Sequence, residues 1–359
     1  MKIAALCDFP FWEKRIGSAV RMSSLCDTLA RHLDLTVISS VVADRPARRS
    51  AWSLRGADEL GIEADMPRED IAARIAEAVI DSEADAVLTP YLNRGWMASA
   101  VPRDVLRVVD THDCQSQRAA SLARHGLKSS ISISGREEGA ALDRYDLALA
   151  MSQEDAMAFR QMTRTPLVIA PFRLPLAPLR DRGDGQTLLF VAADSPVNRV
   201  TLHFLIREIL PLVRAPFRLR VVGSVDVPEI PDGMAVEVLR DVPDLKPIYA
   251  ETDLALSPIY AGGGVKTKTL EPLCYGRPVM TTDEGARGLR HLIPDDLIAN
   301  DKETFAYRIG LILSDAARRK SLSQDIIRRV RNEDVESWIP PFKALLGTMC
   351  ATKSGAIPV

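Results

Sequence analysis

The sequence predicts an α/β protein built from two Rossmann-like domains. Its 359 residues exceed the roughly 250–300 residues beyond which one hydrophobic core stops growing. Residues 2–42 follow the order strand, loop, helix, strand that opens such a domain. A new apolar strand at 187–192 begins the order again, after a segment at 171–185 that is rich in proline and glycine. Two β/α halves are therefore expected in succession along the chain.

Composition is that of a globular protein. Hydrophobic residues make up 47%, charged residues 26%, and the formal net charge is −2, so nothing favours nucleic acid as a partner. The five cysteines share no spacing pattern: Cys7, Cys26, Cys114, Cys274 and Cys350. An odd, unpatterned set is typical of a reducing compartment. No apolar run resembles a membrane span or a signal peptide. We expect a cytoplasmic protein that can touch the inner face of a membrane as a peripheral protein.

Apolar runs and helical spacing predict the elements of the first half. Strands are expected at 2–7, 35–42, 86–89, 107–110, 147–151 and 167–170. Helices are expected at 18–32, 68–82 and 135–145, and Ser152 is a candidate N-cap for a further helix.

The same patterns continue in the second half. Strands are expected at 187–192, 217–222, 236–239, 254–256 and 277–282, with an edge strand at 298–300. One helix is expected to follow the loop at 193–199 and to end at 213. Further helices are expected at 245–251, 303–313 and 315–331. We therefore place an N-terminal domain at 1–175, a C-terminal domain at 186–333 and a final helical segment at 334–350.

The stretch from 257 to 289 carries the strongest functional signal. An apolar strand leads into three glycines, and two lysines follow on an expected helix. Glycine lets a backbone approach a ligand closely. A helix N-terminus offers free N–H groups and the positive end of a dipole. With Lys266 and Lys268 added, the stretch predicts a diphosphate site, although the glycines alone also fit a plain flexible turn.

The stretch resembles the donor-binding motif of the retaining GT-B glycosyltransferases of family 4, the glycosyl transferases group 1 type. The matching residues are Pro258, Gly262, Gly264, Lys266, Lys268, Leu270, Glu271, Gly276, Pro278, Val279, Thr281, Thr282, Gly285, Gly288 and Leu289. The resemblance implies a GT-B fold, in which two Rossmann-like domains face a central cleft and the last helix packs back on the N-terminal domain. It implies a hexosyltransferase-type enzyme that uses a nucleotide sugar.

Two features depart from that motif. Many members carry two glutamates eight positions apart; Glu271 matches the second, and Gly263 stands where the first is expected. Pro272 lies inside the expected helix, although proline is comfortable only in a helix's first turn. Either the helix starts late, with Thr269 as its N-cap, or it kinks at Pro272.

The resemblance also implies roles for individual residues. Lys266 and Lys268, as catalytic groups, would stabilise the leaving diphosphate in place of a metal ion, and Glu271 would hold the ribose. The implied donor-binding residues are Gly262, Gly263, Gly264, Val265, Glu271, Asn198, Arg199, Gly223, Asp241 and Val242. The implied acceptor-side residues are Gly17, Ser18, Arg21 and Asp113. Simpler interpretations remain open: Gly17 as a plain helix start, Arg199 as a surface arginine, Lys268 in a structural salt bridge and Glu271 as an exposed helix residue.

A polar run follows the strand expected at 107–110. His112 lies between Asp110 and Asp113, at a strand end of the kind that forms α/β sites. Three such close neighbours give poor geometry for a metal ion, and the run is not Asp-x-Asp. A structural histidine followed by a helix-capping aspartate fits as well. The family resemblance implies that His112 faces the donor sugar, which would make it an active-site residue.

The stretch at 43–56 is basic and irregular. It contains Arg45, Arg48, Arg49 and Arg55, with Trp52 among them. It fits either a solvated loop or a contact with an anionic acceptor or lipid headgroup.

These observations predict a glycosyltransferase that acts on a glycan, glycolipid or small-molecule acceptor. We expect retention of configuration, no metal or other cofactor, and a role in bacterial polysaccharide or glycoconjugate synthesis. The expected partners are a nucleotide sugar and a sugar or lipid-linked acceptor. Two alternatives stay open. A non-catalytic GT-B subunit that binds nucleotide is favoured by the missing first glutamate, whereas a nucleotide-sugar epimerase is disfavoured by the five scattered histidines.

Overall fold

The computed structural model describes residues 1–13, 16–41 and 51–353. The chain forms two compact units. The first unit contains Met1–Gln117, Ser132–Arg173 and Asp334–Val359, and the second contains Arg118–Ile131 and Leu174–Glu333. Residues 118–131, which lie inside the N-terminal domain expected from the sequence, thus group with the second unit.

A parallel sheet of seven strands forms the centre of the first unit. Its strands are β1 (Lys2–Cys7), β2 (Asp34–Ser39), β3 (Ser53–Arg55), β4 (Ala86–Pro90), β5 (Leu106–Asp110), β6 (Leu147–Ala150) and β7 (Leu167–Ile169). They lie in the order β3-β2-β1-β4-β5-β6-β7, and Ile3 of β1 pairs with Leu35 on one side and Ala86 on the other. The order of the strands reverses between β1 and β4, and ligands of open α/β sheets bind at such switch points.

Helices connect these strands. They are α1 (Gly17–Leu29), α2 (Ala57–Leu60), α3 (Arg68–Asp81), α4 (Gln115–Arg124), α5 (Gly135–Leu142) and α6 (Gln153–Arg160), with 3-10 turns at Phe11–Glu13 and Leu92–Ala98. Capping residues determine where α5 and α6 begin. Ser134 and Glu137 form a capping box at α5. Ser152 caps α6 by accepting from the N–H of Asp155, which confirms the predicted N-cap.

A parallel sheet of five strands forms the centre of the second unit. Its strands are β8 (Thr187–Val191), β9 (Arg218–Val222), β10 (Val236–Leu239), β11 (Leu254–Ser257) and β12 (Val279–Thr281). They lie in the order β10-β9-β8-β11-β12, so the order reverses between β8 and β11. Central strands of parallel sheets are covered on both faces, which explains the continuous apolar run of Leu188, Leu189 and Phe190.

Five helices accompany the second sheet. They are α7 (Pro196–Phe204), α8 (Lys246–Ala250), α9 (Thr267–Cys274), α10 (Lys302–Ser314) and α11 (Ala316–Arg331). Ser195 caps α7 and Pro196 takes its first position, which places Asn198 in the first helical turn. One π-helical turn, Leu205–Ile209, continues α7.

The structure excludes one of the two alternatives for α9, and the edge strand expected at 298–300 is wrong. Helix α9 does not start late at Thr269, because Lys266 is already its N-cap and Thr267 its first residue. Pro272 removes one helical hydrogen bond, and the helix ends two residues later. The expected strand at 298–300 is a single bridge between Ile298 and Thr281. A 3-10 turn ends at Leu297 and Asp301 caps α10, so too few residues are left for a strand.

The last helix, α12 (Ile339–Lys353), belongs to the first unit. Trp338, Phe342 and Leu346 join the hydrophobic cluster that contains Ile3 and other residues of the first sheet. Just before α12, Glu336 accepts hydrogen bonds from Arg31 and lies 2.7 Å from Nε2 of His32. This helix therefore fills part of the core of the first unit.

We expect Phe342→Ala to lower the free energy of unfolding by about 3–5 kcal/mol, because a fully buried ring is lost and a cavity remains. The matched control is Thr348→Ala on the exposed side of the same helix, with a change within about 0.5 kcal/mol. Urea unfolding of both variants measures the difference. Equal midpoints would mean that α12 does not stabilise the first unit.

Candidate active site

The residues predicted to bind a donor gather at the carboxyl edge of the second sheet. Each group follows the end of a strand. Asn198 and Arg199 come after β8, Gly223 after β9, and Asp241 and Val242 after β10. The loop of Gly262, Gly263 and Gly264, here called the glycine loop, comes after β11 and is followed by Lys266 and Lys268. Parallel strands end at one edge, so these loops are neighbours. The switch point between β8 and β11 brings Lys268 and Asn198 together.

Lys268 is a half-buried ammonium with a neutral partner. Its Nζ donates a hydrogen bond to Oδ1 of Asn198 and lies 5.2 Å from the centre of the Phe190 ring. The Asn198 amide in turn donates to the carbonyl of Ala193 at 2.7 Å, which fixes its orientation. Burial lowers the pKa of Lys268 to about 8, and the nearby charge of Lys266 contributes. Among residues 1–13, 16–41 and 51–353, no carboxylate pairs with Lys268, so the structural salt bridge is not seen.

Lys266, by contrast, is bound within its own loop. Its Nζ donates to the carbonyls of Gly263 at 3.2 Å and Gly264 at 2.8 Å, and to Oε1 of Glu284 at 2.8 Å. The Glu284 carboxylate offsets its charge. The two lysines therefore differ: Lys266 holds the glycine loop closed, whereas Lys268 presents a charge that no carboxylate compensates.

The glycine loop needs two of its glycines for backbone conformation. Gly262 has φ +140° and Gly264 has φ +63°, regions that other residues rarely adopt. The loop then ends at the buried Val265, just before α9. The Gly262 N–H donates to Oγ of Ser121 at 3.2 Å, within the second unit. Ser121 is a contact that sequence reasoning missed, because 140 positions separate the two residues.

Gly263 is required for space. A Cβ atom added there would lie only 2.7 Å from Cβ of Arg118. Arg118 belongs to the segment 118–131 of the second unit. The position at which the family motif carries its first glutamate therefore has no room for a side chain in this structure.

Glu271 is half-buried and has a fixed partner. The Tyr249 hydroxyl donates to its Oε2 at 3.0 Å. Burial raises the pKa of Glu271, and the hydrogen bond from Tyr249 acts against that rise. Glu271 is thus not an exposed helix residue. Tyr249, whose own pKa burial raises well above its usual range, was not identified from the sequence, since nothing in its local pattern marks it.

The remaining donor-side residues occupy the strand ends without meeting Lys268. Arg199 forms a surface ion pair with Asp194, with Nε 2.6 Å from Oδ1, as the simpler interpretation expected. Gly223 has φ +112°, and an added Cβ would lie 2.3 Å from the carbonyl of Ala192. Asp241 is exposed with φ +48°. Val242 packs beside Tyr249 in a small apolar cluster.

In the first unit, His112 is the second residue after the end of β5 and has a left-handed conformation, with φ +60°. Its ring stacks on Tyr91, with centroids 3.9 Å apart and planes inclined by 14°. Nε2 lies 3.3 Å from Oδ2 of Asp110. Burial lowers the pKa of His112 to about 4, although Asp110 acts in the opposite direction. The imidazole is therefore neutral at pH 7.

The predicted acceptor-side residues lie in different environments. Gly17 and Ser18 form the accessible first turn of α1, after Ile16 as N-cap. Arg21 is buried and bound to both oxygens of Asp110, so its guanidinium serves the interior of the first unit. Asp113 is buried, and its N–H donates to the carbonyl of Thr111 at 2.7 Å.

A buried carboxylate on α5 binds the start of α4. Oε1 of Glu138 accepts from the N–H of Gln115 at 2.7 Å, and Oε2 accepts from Ser116 at 2.9 Å. A carboxylate at a helix N-terminus satisfies free N–H groups and meets the positive end of the dipole. Glu138 therefore fixes the start of the helix that follows His112.

The described part of the basic stretch is folded onto the first unit. Trp52 is buried, and its Nε1 donates to Oδ1 of Asp27 at 3.0 Å. Arg55 donates to the carbonyl of Ala78 at 3.2 Å and contacts Asp81. Trp52 is thus a core residue, not part of a headgroup contact. Arg45, Arg48 and Arg49 lie outside the described residues.

The described residues contain neither a metal-binding cluster nor a membrane-spanning helix. No group of three or more His, Cys, Asp and Glu side chains is arranged to hold a metal ion. None of the described helices has the length and apolar character needed to span a membrane.

Comparison with known families identifies the class of protein. Residues 185–315 match the family described as Glycosyl transferases group 1. This segment contains the second sheet and all of the donor-side residues named above. The chain is a glycosyltransferase. No curated protein sequence matches it.

Solved structures resemble the chain despite low sequence identity. Sucrose-phosphate synthase from Thermosynechococcus elongatus has a TM-score of 0.69 and 15% identity, over 99% of this chain and 98% of that one. HepE from Anabaena, solved with UDP and glucose, has a TM-score of 0.66 and 15% identity, over 97% and 100%. TarM, a protein of S. aureus, has a TM-score of 0.62 and 9% identity, but the match covers 77% of this chain and only 58% of TarM. The fold is GT-B, as the sequence predicted.

We expect Gly263→Ala to destabilise the protein by about 1–3 kcal/mol, because the new methyl group overlaps Cβ of Arg118, which cannot move without the backbone. Gly347→Ala is the matched control. It lies in α12 with no atom within 4 Å of the new methyl group, and it should stabilise by up to about 1 kcal/mol. Thermal unfolding compares the two. A Gly263→Ala variant as stable as the control would show that the loop has room for a side chain.

Proposed function

We propose that this enzyme transfers a hexose from a nucleoside-diphosphate sugar to an acceptor, with retention of configuration and without a metal ion. The observation that carries the proposal is the position of the half-buried Lys268 ammonium. It lies at the switch point of the second sheet, beside the N-terminus of α9, and its only side-chain hydrogen-bond partner in the described chain is the neutral Asn198. A diphosphate would supply the compensating negative charge.

The charge of the leaving group grows as the sugar–phosphate bond breaks. An ammonium already in place and shielded from water stabilises that charge without reorganisation. We assign this role to Lys268, together with the N–H groups of the first turn of α9. Lys266 acts less directly, because Glu284 and two carbonyls hold it in the loop.

The other residues position the donor. The Glu271 carboxylate accepts two hydrogen bonds readily and is assigned to the ribose hydroxyls, with Tyr249 holding it in place. Asp241 and Val242, at the end of β10, are assigned to the nucleoside base. His112 is assigned to the donor sugar, as the family resemblance implies.

Retention is proposed from the family resemblance, and the absence of a carboxylate from the glycine loop favours a same-face reaction over a covalent intermediate. Gly263 leaves no side chain where the family motif places a glutamate, and Arg118 occupies the space. In the reaction we propose, the acceptor oxygen attacks the anomeric carbon on the face from which the diphosphate leaves. The acceptor proton passes to the departing phosphate oxygen as the bond from carbon to that oxygen breaks.

The comparisons suggest where to look for the donor. HepE was solved with UDP and glucose, and TarM with UDP. UDP-hexoses are therefore the first donors to test. As acceptor we propose a sugar or lipid-linked sugar of bacterial polysaccharide or glycoconjugate synthesis.

The decisive experiment is a donor screen with UDP-, GDP- and dTDP-hexoses in the presence of EDTA. We expect at least one donor to be hydrolysed slowly and to be transferred to a sugar acceptor with the anomeric configuration retained, as read by NMR. Lys268→Ala should lower turnover by roughly 30- to 1000-fold, the equivalent of ~2–4 kcal/mol of lost charge stabilisation. Lys320→Ala, on the exposed side of α11, is the control.

Three outcomes would contradict parts of this proposal. Nucleotide binding without turnover would indicate a binding subunit. Activity that EDTA abolishes and Mg²⁺ or Mn²⁺ restores would overturn metal independence. A product of inverted configuration would overturn the same-face reaction.

Nucleotide affinity should also depend on pH. The pKa of about 8 means that Lys268 loses its charge as the pH rises through 8 in the free enzyme. A diphosphate prefers the ammonium, so affinity should be constant below that pH and fall above it, by up to about tenfold per pH unit. Lys268→Arg keeps its charge at every pH used and should give a flat profile. Calorimetric titration of UDP between about pH 7 and 9.5 measures both; equally flat profiles would mean that Lys268 does not meet the diphosphate.

A further inference from the structure

Six side chains surround the switch point of the first sheet and form what we call the His112 cluster. They come from the ends of β1, β4 and β5 and from α1: Asp8, Arg21, Tyr91, Arg94, Asp110 and His112. We propose that Tyr91 and Arg94 are positioning residues that hold the His112 ring in place, and that Asp110 fixes its proton on Nε2, so that Nδ1 is left to accept a hydrogen bond from a sugar hydroxyl. This inference rests on the proposed function, since it gives His112 a role in sugar transfer.

The first step concerns the proton. Nε and NH2 of Arg21 donate to the two oxygens of Asp110 at 3.0 and 2.9 Å, and NH1 donates to the carbonyl of Pro171 at 3.0 Å. Both side chains of the pair are almost fully buried. Burial alone would raise the pKa of Asp110, but Arg21 and His112 hold it below its usual value. Asp110 is therefore an ionised group that only accepts hydrogen bonds.

The tautomer of His112 follows from that charge. Nε2 faces Oδ2 of Asp110 at 3.3 Å, a close electrostatic contact without the geometry of a full hydrogen bond. A lone pair on Nε2 would be repelled there, whereas an N–H is attracted. The carboxylate thus selects the tautomer with hydrogen on Nε2. Nδ1 then carries a lone pair, and no residue of the described ranges donates to it.

The second step concerns the orientation of the ring. Tyr91 and His112 are each the first or second residue after a strand end, and both have a left-handed backbone, with φ of +61° and +60°. Such conformations are strained in non-glycine residues and persist only where the surroundings enforce them. Here the two strained residues stack face to face.

The third step concerns the support of Tyr91. The Arg94 guanidinium lies 5.2 Å from the centre of the Tyr91 ring and 4.9 Å from that of Phe9. Asp8 binds Arg94 through an ion pair. Arg94 thereby ties the loop after β4, which carries Tyr91, to the end of β1. Successive contacts thus connect Asp8 to the His112 ring through Arg94 and Tyr91.

These contacts suit a neutral ring that accepts a hydrogen bond. A protonated imidazole donates from both nitrogens and would not distinguish a hydroxyl from other acceptors. A neutral ring with its lone pair on Nδ1 requires a donor, and the hydroxyls of a hexose are such donors. A rigid stack also avoids the entropy cost of ordering the ring when the sugar binds.

The first test separates positioning from folding. We expect Tyr91→Ala to lower turnover by roughly tenfold or more while the donor KM changes less than about twofold, because nucleotide binding belongs to the second unit. Tyr91→Phe keeps the stacking ring and should restore most of the lost turnover. Asn93→Ala, an exposed residue of the same 3-10 turn, is the control. A Tyr91→Ala variant with wild-type turnover would overturn the role of the stack.

The second test does not depend on activity. Nitrogen-15 NMR of the histidine rings should show His112 with hydrogen on Nε2 and none on Nδ1 from about pH 6 to 8. The charged groups around the ring are Asp110, Arg21 and Arg94, and of these Asp110 attracts the proton to Nε2. Arg94→Ala should let the ring exchange between tautomers, and Arg94→Lys should do so less. A proton on Nδ1, or a ring that is charged at pH 7, would overturn the inference. An inactive enzyme with the expected spectrum would instead place the failure in the proposed function.

Discussion

The constraint on which the rest of the structure depends is the reversal of strand order within each parallel sheet. Connections on either side of the reversal lead away in opposite directions and leave the strand ends accessible. In the second sheet, β8 and β11 supply Asn198 and Lys268 at this point. In the first sheet, the reversal between β1 and β4 lies beside the residues around His112. Each unit thus has one edge at which side chains from distant segments meet.

The cations at these two edges, the buried Arg21 and the half-buried Lys268, differ in whether a carboxylate balances their charge. Arg21 donates two hydrogen bonds to Asp110, so the carboxylate compensates its charge inside the first unit. Among the described residues, the hydrogen-bond partner of the Lys268 ammonium is a neutral amide, so burial acts against its charge and lowers its pKa. Removing either partner of the Arg21 pair would leave an unpaired buried charge, which costs about 3–5 kcal/mol. The half-buried charge of Lys268 has no carboxylate partner among the described residues, and an anionic ligand would supply the missing negative charge.

Backbone conformation does as much as side chains in forming both edges. The glycine loop uses left-handed residues to bring the carbonyls of Gly263 and Gly264 to the Lys266 ammonium. The first unit reaches a similar result with non-glycine residues, since Tyr91 and His112 adopt left-handed conformations to stack. Strain of this kind is retained only where neighbouring contacts enforce it. Arg94 and Asp110 provide such contacts for the two rings.

The sequence by itself determined the α/β class, most strand positions and the glycine–lysine motif, because these depend on local signals: apolar runs, caps and residues that permit unusual backbone angles. Only the tertiary structure decided which charges are paired. Lys266 and Lys268 look equivalent in the sequence, yet Glu284 neutralises one and not the other. Tyr249, Tyr91 and Arg118 have no local signature, and their contacts with Glu271, His112 and Gly263 join segments far apart in the chain. Hydrophobic periodicity determines which face of an element is buried. The partner of a buried polar group depends instead on which strands are neighbours in the sheet.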